Sequence, residues 1–363
     1  MKKKNMKKTI SIGVIMLLIL VSGCASRSEE TIKIGAILPM TGGFAIYGSD
    51  EQKGAELAVE EINNAGGIKG KNVEMVFEDS AGENVKALNA FQKLTDVDKI
   101  GIIITATSWI SNTIYEKAKE RDVVQVVVAS AAFARSSQDK AIRFTVDVRD
   151  EGKFLAAFLK EFERIGIIHL NNDYGSGWAK QLSEELGERI IGVEKYEPTD
   201  ADMSTQLIKL GAKSPDAIVM VSTGKDGFLI AKKIKELDIK TQLIGTRPIQ
   251  TRDLLQEPVL VEGLIYSYPT YDATHPFMNE YKNKYNEEPS VFAAETYDAV
   301  MSVKSALDEC GDDKKCIADW FTSQEYNGAL GHVTFDEKKD AQYAFSLKQI
   351  KKGKFVIFEE NEV

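Results

Sequence analysis

Four short runs in this 363-residue chain are apolar with almost no alternation: IGIII (100–104), VVQVVV (123–128), IGIIHL (165–170) and AIVMV (217–221). A strand with water on one face alternates apolar and polar residues. A strand covered on both faces has no polar side to show. Each run lies beside segments of helical periodicity, so the chain is α/β, with parallel sheets buried between helices.

A first series starts with strand TIKIGAIL (31–38) and loop PMTGGFAIYG (39–48). The spacing predicts a helix from Ser49 to Gly66–Gly67, with Ser49 and Gln52 in capping-box register. Strand NVEMVFEDS (72–80), a helix through Val85, Leu88, Phe91 and Leu94, strand 99–104, a helix over about 111–121 and strand 123–130 follow. A second series has helix 152–162, strand 164–171, helix 177–188, strand 191–197, helix 203–212, strand 216–222, helix 226–237 and strand 241–245. Near residue 268 the pattern turns to two helices, 275–285 and 290–309, and then to a hairpin over 343–358 that turns at Gly353. Two βα series suit two lobes, each with its own sheet.

The first residues, MKKKNMKK, are basic, and TISIGVIMLLILV (9–21) is apolar but shorter than the roughly 20 residues that span a bilayer. With LVSGCAS (20–26) they form a lipoprotein signal peptide, residues 1–23, resembling a bacterial lipobox whose Cys24 is lipidated. Residues 24–30 read as a polar tether. Removing the leader, which carries five lysines and no acid, takes the formal charge from −9 to about −14. Such an acidic body excludes a phosphate-backbone binder, so no nucleic acid is expected. Export to an oxidising compartment makes Cys310 and Cys316, which bracket GDDKK, a local disulfide. His169, His275 and His332 are scattered without metal spacing, so neither metal nor cofactor is expected. The chain has no glycine-rich phosphate loop, nucleophile elbow or HExxH, which speaks against a secreted enzyme.

In open parallel sheets ligands meet the loops at the carboxyl ends of strands. Those loops here are LPMTGGFAIYG, EDSAG, TATSWISN (105–112), ASAAF (129–133), NNDYGSG (171–177), STGKDG (222–227) and GTRPIQ (245–250). TATSWISN gathers hydroxyls and one indole just before a helix, where unpaired N–H groups favour an anion. Ser111 in it reads equally as a helix cap, and Trp109 also suits a core.

The stretches IKIGAILPMTGGFAIYG, KGAELAVEEINNAGGIKGKNVEMVFEDSAG, NNDYGSG and ETYDAV resemble the leucine-isoleucine-valine-binding protein family over about 31–358. The resemblance implies two Rossmann-like lobes of the type I periplasmic-binding-protein fold, joined by three crossovers at 145–147, 267–270 and 329–332. Lobe 1 would combine 31–145 with 269–330, and lobe 2 would combine 146–267 with 331–363. It implies an extracytoplasmic solute-binding lipoprotein of an ABC importer of branched-chain amino acid type. Such a lipoprotein is anchored by lipid to the outer face of the cytoplasmic membrane or lies in the periplasm. Its partners would be a small-molecule ligand and a membrane permease, or alternatively a signalling partner that reads the closed state.

Carried over by position, Ser108, Trp109, Ser130 and Ala131 would grip a ligand carboxylate, and Tyr47, Tyr174 and Phe292 would wall its body. Phe292 also lies on an apolar helical stripe that could serve packing alone. Three departures stand out. Arg247 falls where the family carries a glutamate for the ligand ammonium, Ala132 replaces a threonine, and no aromatic residue stands near Thr223 and Gly224. An arginine there would repel an ammonium and attract a carboxylate, which favours a small organic acid as ligand. Alternatively, Arg247 points to solvent or pairs with Asp253, and Glu295 or Asp79 receives the ammonium.

Overall fold

The computed structural model describes residues 31–130 and 135–359. The signal peptide, Cys24 and the tether, together with Ala131 and Ala132, lie outside the described residues. The first sheet comes from β1 (Ile32–Leu38), α1 (Ala45–Asn64), β2 (Val73–Asp79), α2 (Asn84–Gln92), β3 (Ile102–Ala106), α3 (Ser108–Glu120), β4 (Val124–Val128) and β5 (Ala141–Arg143). Its strands run in the order β2-β1-β3-β4-β5, all parallel. The central strands β3 and β4 are buried at every position, whereas edge strand β2 buries only Val73 fully. Residues of β1 point alternately to two cores. Ile37 packs with Phe91, Ile110 and Ile114, while Ala36 and Leu38 join Ala55, Ala58 and Val300 on the other face.

The second sheet takes α4 (Val148–Leu159), β6 (Ile165–Leu170), α5 (Asp173–Leu186), β7 (Ile190–Tyr196), α6 (Ser204–Gly211), β8 (Ala217–Val221), α7 (Gly224–Glu236), β9 (Gln242–Gly245) and β10 (Ile265–Pro269). Three helices follow: α8 (Pro276–Tyr285), α9 (Val291–Cys310) and α10 (Lys314–Ser323). A small antiparallel sheet of β11 (Tyr326–Gly328), β12 (Gly331–Phe335) and β13 (Ala341–Gln342) precedes β14 (Phe345–Lys351) and β15 (Lys354–Ile357). The second sheet has the order β15-β14-β10-β9-β8-β6-β7. The β14–β15 hairpin adds to it antiparallel and turns at Lys352–Gly353, both at positive φ, as a tight hairpin turn requires. Ile165 and Ile167 of β6 face Leu155, Trp178 and Leu182, and Ile168 and Leu170 face the opposite core.

Helices α1 and α9 cross closely because Gly54 has no side chain. A Cβ on Gly54 would lie 2.1 Å from the carbonyl oxygen of Ala293. At the passage from β5 to α4, Asp147 caps α4 by accepting from the Arg149 amide at 2.7 Å, and it also takes the guanidiniums of Arg143 and Arg149. Cys310 and Cys316 form a disulfide across the α9–α10 turn, with Cα atoms 5.6 Å apart.

Several features differ from the sequence reading, among them the starts of α4 and α5, at Val148 and Asp173 instead of 152 and 177. Helix α1 starts at Ala45, so Ser49 and Gln52 sit inside it, and Gln52 donates to Glu56 rather than closing a capping box. Tertiary contacts of Tyr47 hold the extra turn (below), which local propensity does not foresee. Helix α3 starts at Ser108, three residues before the expected start, and Ser111 donates to the Thr105 carbonyl instead of capping. The β11–β13 sheet was not anticipated, since its two- to five-residue strands carry no apolar run.

In an exposed helix, glycine to alanine would raise stability by up to about 1 kcal/mol. Gly54→Ala is expected to lower it instead, by roughly 1–3 kcal/mol, as overpacking does. Denaturant unfolding of the two proteins measures the sign.

Candidate ligand-binding site

In each sheet one strand starts the winding and its neighbours are added on opposite sides: β1 lies between β2 and β3, and β6 lies between β7 and β8. The crevice at such a switch point opens at the carboxyl ends of the strands. Here the two crevices face each other and enclose a cavity of about 80 Å³. One side is built by Phe44, Tyr47 and Glu51 after β1, by Thr107, Ser108 and Trp109 after β3, and by Ser130 after β4. The other side is built by Asn172 and Tyr174 after β6, by Ser222 and Thr223 after β8, and by Arg247 and Pro248 after β9. Phe292 of α9 closes the wall.

The α3 end of the cavity is polar. Thr107 has φ 62° and ψ 141°, a left-handed conformation that a β-branched residue rarely adopts. Such strain gathers at functional sites. It turns the chain so that α3 begins at the cavity, with its first N–H groups unpaired within the helix. The Thr107 hydroxyl is buried there without a hydrogen-bond partner among the described residues. Trp109 donates its indole N–H to the Gly82 carbonyl at 2.8 Å and stacks edge-on with Phe44 at 4.9 Å, which leaves its ring as wall.

Aromatic rings tie the two sides together. Tyr47 donates from its hydroxyl to the Pro248 carbonyl at 2.8 Å, across the cleft, and packs edge-on with Phe292 at 4.9 Å. Tyr174 donates to the Thr246 hydroxyl at 3.1 Å, and burial pushes both phenols well above their usual range. Gly175 lets α5 start tight against β6, since a Cβ there would lie 1.9 Å from the Leu170 carbonyl oxygen. Asn172 caps that helix by accepting from the Gly175 amide at 2.9 Å.

Arg247 sits in a short 3₁₀ turn and is 3% exposed. Its Nη1 donates to Glu295 and, at 3.0 Å, to Thr145; its Nη2 donates to Ser130 Oγ at 2.5 Å. Its Cζ lies 5.1 Å from the Phe292 ring centre. Burial alone would lower this guanidinium, but Glu295 and Glu151 outweigh it and hold the pKa above the usual value. Arg247 therefore faces the cleft already paired with Glu295, which corrects the expectation that it points to solvent or joins Asp253; its Nε is buried there without a hydrogen-bond partner among the described residues. Asp79 is also taken, accepting from the Met40 amide at 2.9 Å, the Thr41 amide and hydroxyl, and the Ala81 amide.

The profile of the periplasmic binding protein family matches residues 31–354. The chain belongs to that family. It is 27% identical over 341 residues to the Leu/Ile/Val-binding protein of Escherichia coli K12, covering 88% of this chain and 92% of that one. An extracellular ligand binding receptor from Desulfohalobium retbaense superposes with a TM-score of 0.84 at 33% identity, over 91% of this chain; the match spans 60% of that receptor's length. The branched-chain amino acid transporter substrate binding protein LivJ from Streptococcus pneumoniae, solved with isoleucine, gives 0.83 at 26% identity, covering 90% and 98% of the two chains. The family and these relatives are solute-binding proteins, not enzymes.

In this periplasmic binding protein, Tyr47, Ser108, Trp109, Ser130, Tyr174, Arg247 and Phe292 all line the one cavity. Ala131 lies outside the described residues. Sequence reasoning missed Glu51 and Thr107. Glu51 stands four residues after Tyr47, hence on the same face of α1, and that spacing could have found it. Replacing Arg247 by Met strands the buried Glu295 and is expected to cost about 3–5 kcal/mol; adding Glu295→Gln should restore most of the loss. Denaturant unfolding across this double-mutant cycle measures both steps.

Proposed function

We propose that this chain is the extracytoplasmic solute-binding component of an ABC importer of branched-chain amino acid type, and that it holds a small amino acid or another carboxylate-bearing molecule between its lobes. The observation that carries this reading is the cavity walled from both sheets, with hydroxyls and the α3 N-terminus at one end and aromatic rings around it. Ser108, Ser130 and the first amides of α3 would hold the carboxylate, with Ala131 in the same loop. Tyr47, Trp109, Tyr174 and Phe292 would enclose the apolar body. The lobes would divide at 145–147, 267–270 and 329–332. The identity to proteins named for leucine, isoleucine and valine supports the ligand class.

A ligand that touches both sides binds the closed arrangement better than the open one and shifts the population toward it. The permease would then read the closed surface. The test is thermal unfolding with leucine, isoleucine, valine, phenylalanine and benzoate, extended to a broad metabolite panel. A true ligand at 100 times its Kd adds about 2.7 kcal/mol of stability, seen as a rise in Tm, and scattering should report a more compact chain. If no compound in the panel moves either signal, the reading fails.

The Gly-Cys junction after an apolar run supports a lipid anchor at Cys24, in the periplasm or on the outer face of the cytoplasmic membrane. Mass spectrometry of the mature N-terminus should find acylated Cys24, and Cys24→Ser should release the protein from the membrane fraction. An unmodified N-terminus upstream of residue 24 would contradict it.

A further inference from the structure

We propose that Asp298 is a positioning residue for closure of the cleft: with Val291 and Glu295 it forms one stripe of α9 to which each passage of the chain between the two sheets is tied. The inference rests on the movement of the two halves proposed above and is independent of which ligand drives it.

Among the described residues the chain passes between the sheets three times: from β5 to α4, from β10 to α8, and from α10 to β14. Each passage is bonded to α9. The Tyr268 hydroxyl, at the end of β10, accepts from the Val291 amide at 3.2 Å. Thr145, between β5 and α4, donates to Glu295 at 2.7 Å. On the third passage the amides of Ala329 and Leu330 donate to the two oxygens of Asp298, each at 2.9 Å, and the Tyr326 hydroxyl donates to Oδ1 at 3.3 Å. Residues 291, 295 and 298 have the i, i+4, i+7 spacing of one helix face. They span about 10 Å of helix axis at roughly 1.5 Å per residue. The passages also hold one another: the Asp272 amide donates to the Ala329 carbonyl at 3.0 Å, and the Thr270 amide to the Ala344 carbonyl at 2.9 Å.

Helix α9 is itself seated on the side of the first sheet, where Gly54 lets α1 approach it. A turn of the second sheet about the first therefore pivots at these anchors, and residues beyond them absorb the change in φ and ψ. Asp298 takes the most bonds of the three and stands outside the cavity wall. It is fully buried, and it satisfies two backbone amides that need a partner when shielded from water. Gly328 permits the approach, since a Cβ there would run into Asp298 Oδ1 and the Tyr326 ring. The cavity reaches the same helix through Phe292 in its wall and through Arg247, which donates to Glu295. A ligand that moves either side chain acts on the helix that carries the pivot.

The test places spin labels on exposed residues at either side of the cleft, Glu116→Cys on α3 and Lys180→Cys on α5, in the chain with Cys24→Ser. Cys310 and Cys316 are bonded to each other and take no label. Pulsed dipolar spectroscopy reads the distance distribution of the empty protein. Asp298→Asn keeps the shape but turns an NH2 group toward one of the two N–H donors, and Gly328→Ala pushes the same backbone away. Both are expected to widen the distribution by roughly one half and to speed amide exchange over residues 326–333 about tenfold. Val300→Ala, a core truncation on the same helix that packs with Ala36 and Leu38, should change neither. An unchanged distribution in both variants, or equal widening in Val300→Ala, overturns the role of Asp298. Should the variants fail to fold, exchange in the wild type decides: protection of residues 326–333 in the empty protein supports the pivot, and fast exchange there overturns it. If L-leucine, L-isoleucine and L-valine leave the wild-type distances unmoved while Asp298→Asn widens them, the ligand reading falls and the pivot stands.

Discussion

A strand covered on both faces spends its side chains on packing. In both sheets of this protein the central strands are apolar at nearly every position and buried between helices. Chemistry is then confined to the strand ends, where the backbone emerges and polar residues can be held by loops on a rigid base. The position of the cavity, the strained Thr107 and the reach of Tyr47 across the cleft all follow from that confinement. The glycines that matter do so for the same reason. Gly54 and Gly175 let helices sit against neighbouring backbone closely enough to bring their ends to the strand termini.

The cleft also manages its charge economically. Burying the Arg247 guanidinium beside Glu295, with the hydroxyls of Thr145 and Ser130 accepting from it and Thr145 donating on to Glu295, makes a tie across the cleft. Together with the Tyr47–Pro248 bond and the Asn112–Asp173 bond at 2.7 Å, this tie links the two halves of the cleft at separate points. None of these bonds is strong enough alone to hold the halves shut, since a typical net contribution is about 1 kcal/mol.

Much of the site was legible from residue type and loop position. Tyr47, Ser108, Trp109, Ser130, Tyr174 and Arg247 stand in loops or first helical turns after apolar strands, and the family resemblance gave each a reason to be there. Where the reading slipped, the cause was a contact distant in sequence. The first turn of α1 looked like loop because its stability comes from Tyr47 packing on Phe292 and bonding to Pro248, about 200 residues away. The β11–β13 strands are too short for any periodic signal. The charge of Arg247 looked free because Glu295 lies 48 positions further along the chain.

What the sequence by itself determined was the alternation of strand and helix, the parallel burial of the sheets and the set of loops that could carry function. Those features depend on period and on hydrophobicity, which are local properties of the chain. What only the tertiary structure decided was which charges are satisfied. Whether Arg247 greets a ligand or is already paired, and whether Glu51 is solvated or stranded, depends on distances between segments that no local pattern encodes. Electrostatic energy varies with separation and burial, and both are set by how the two sheets meet.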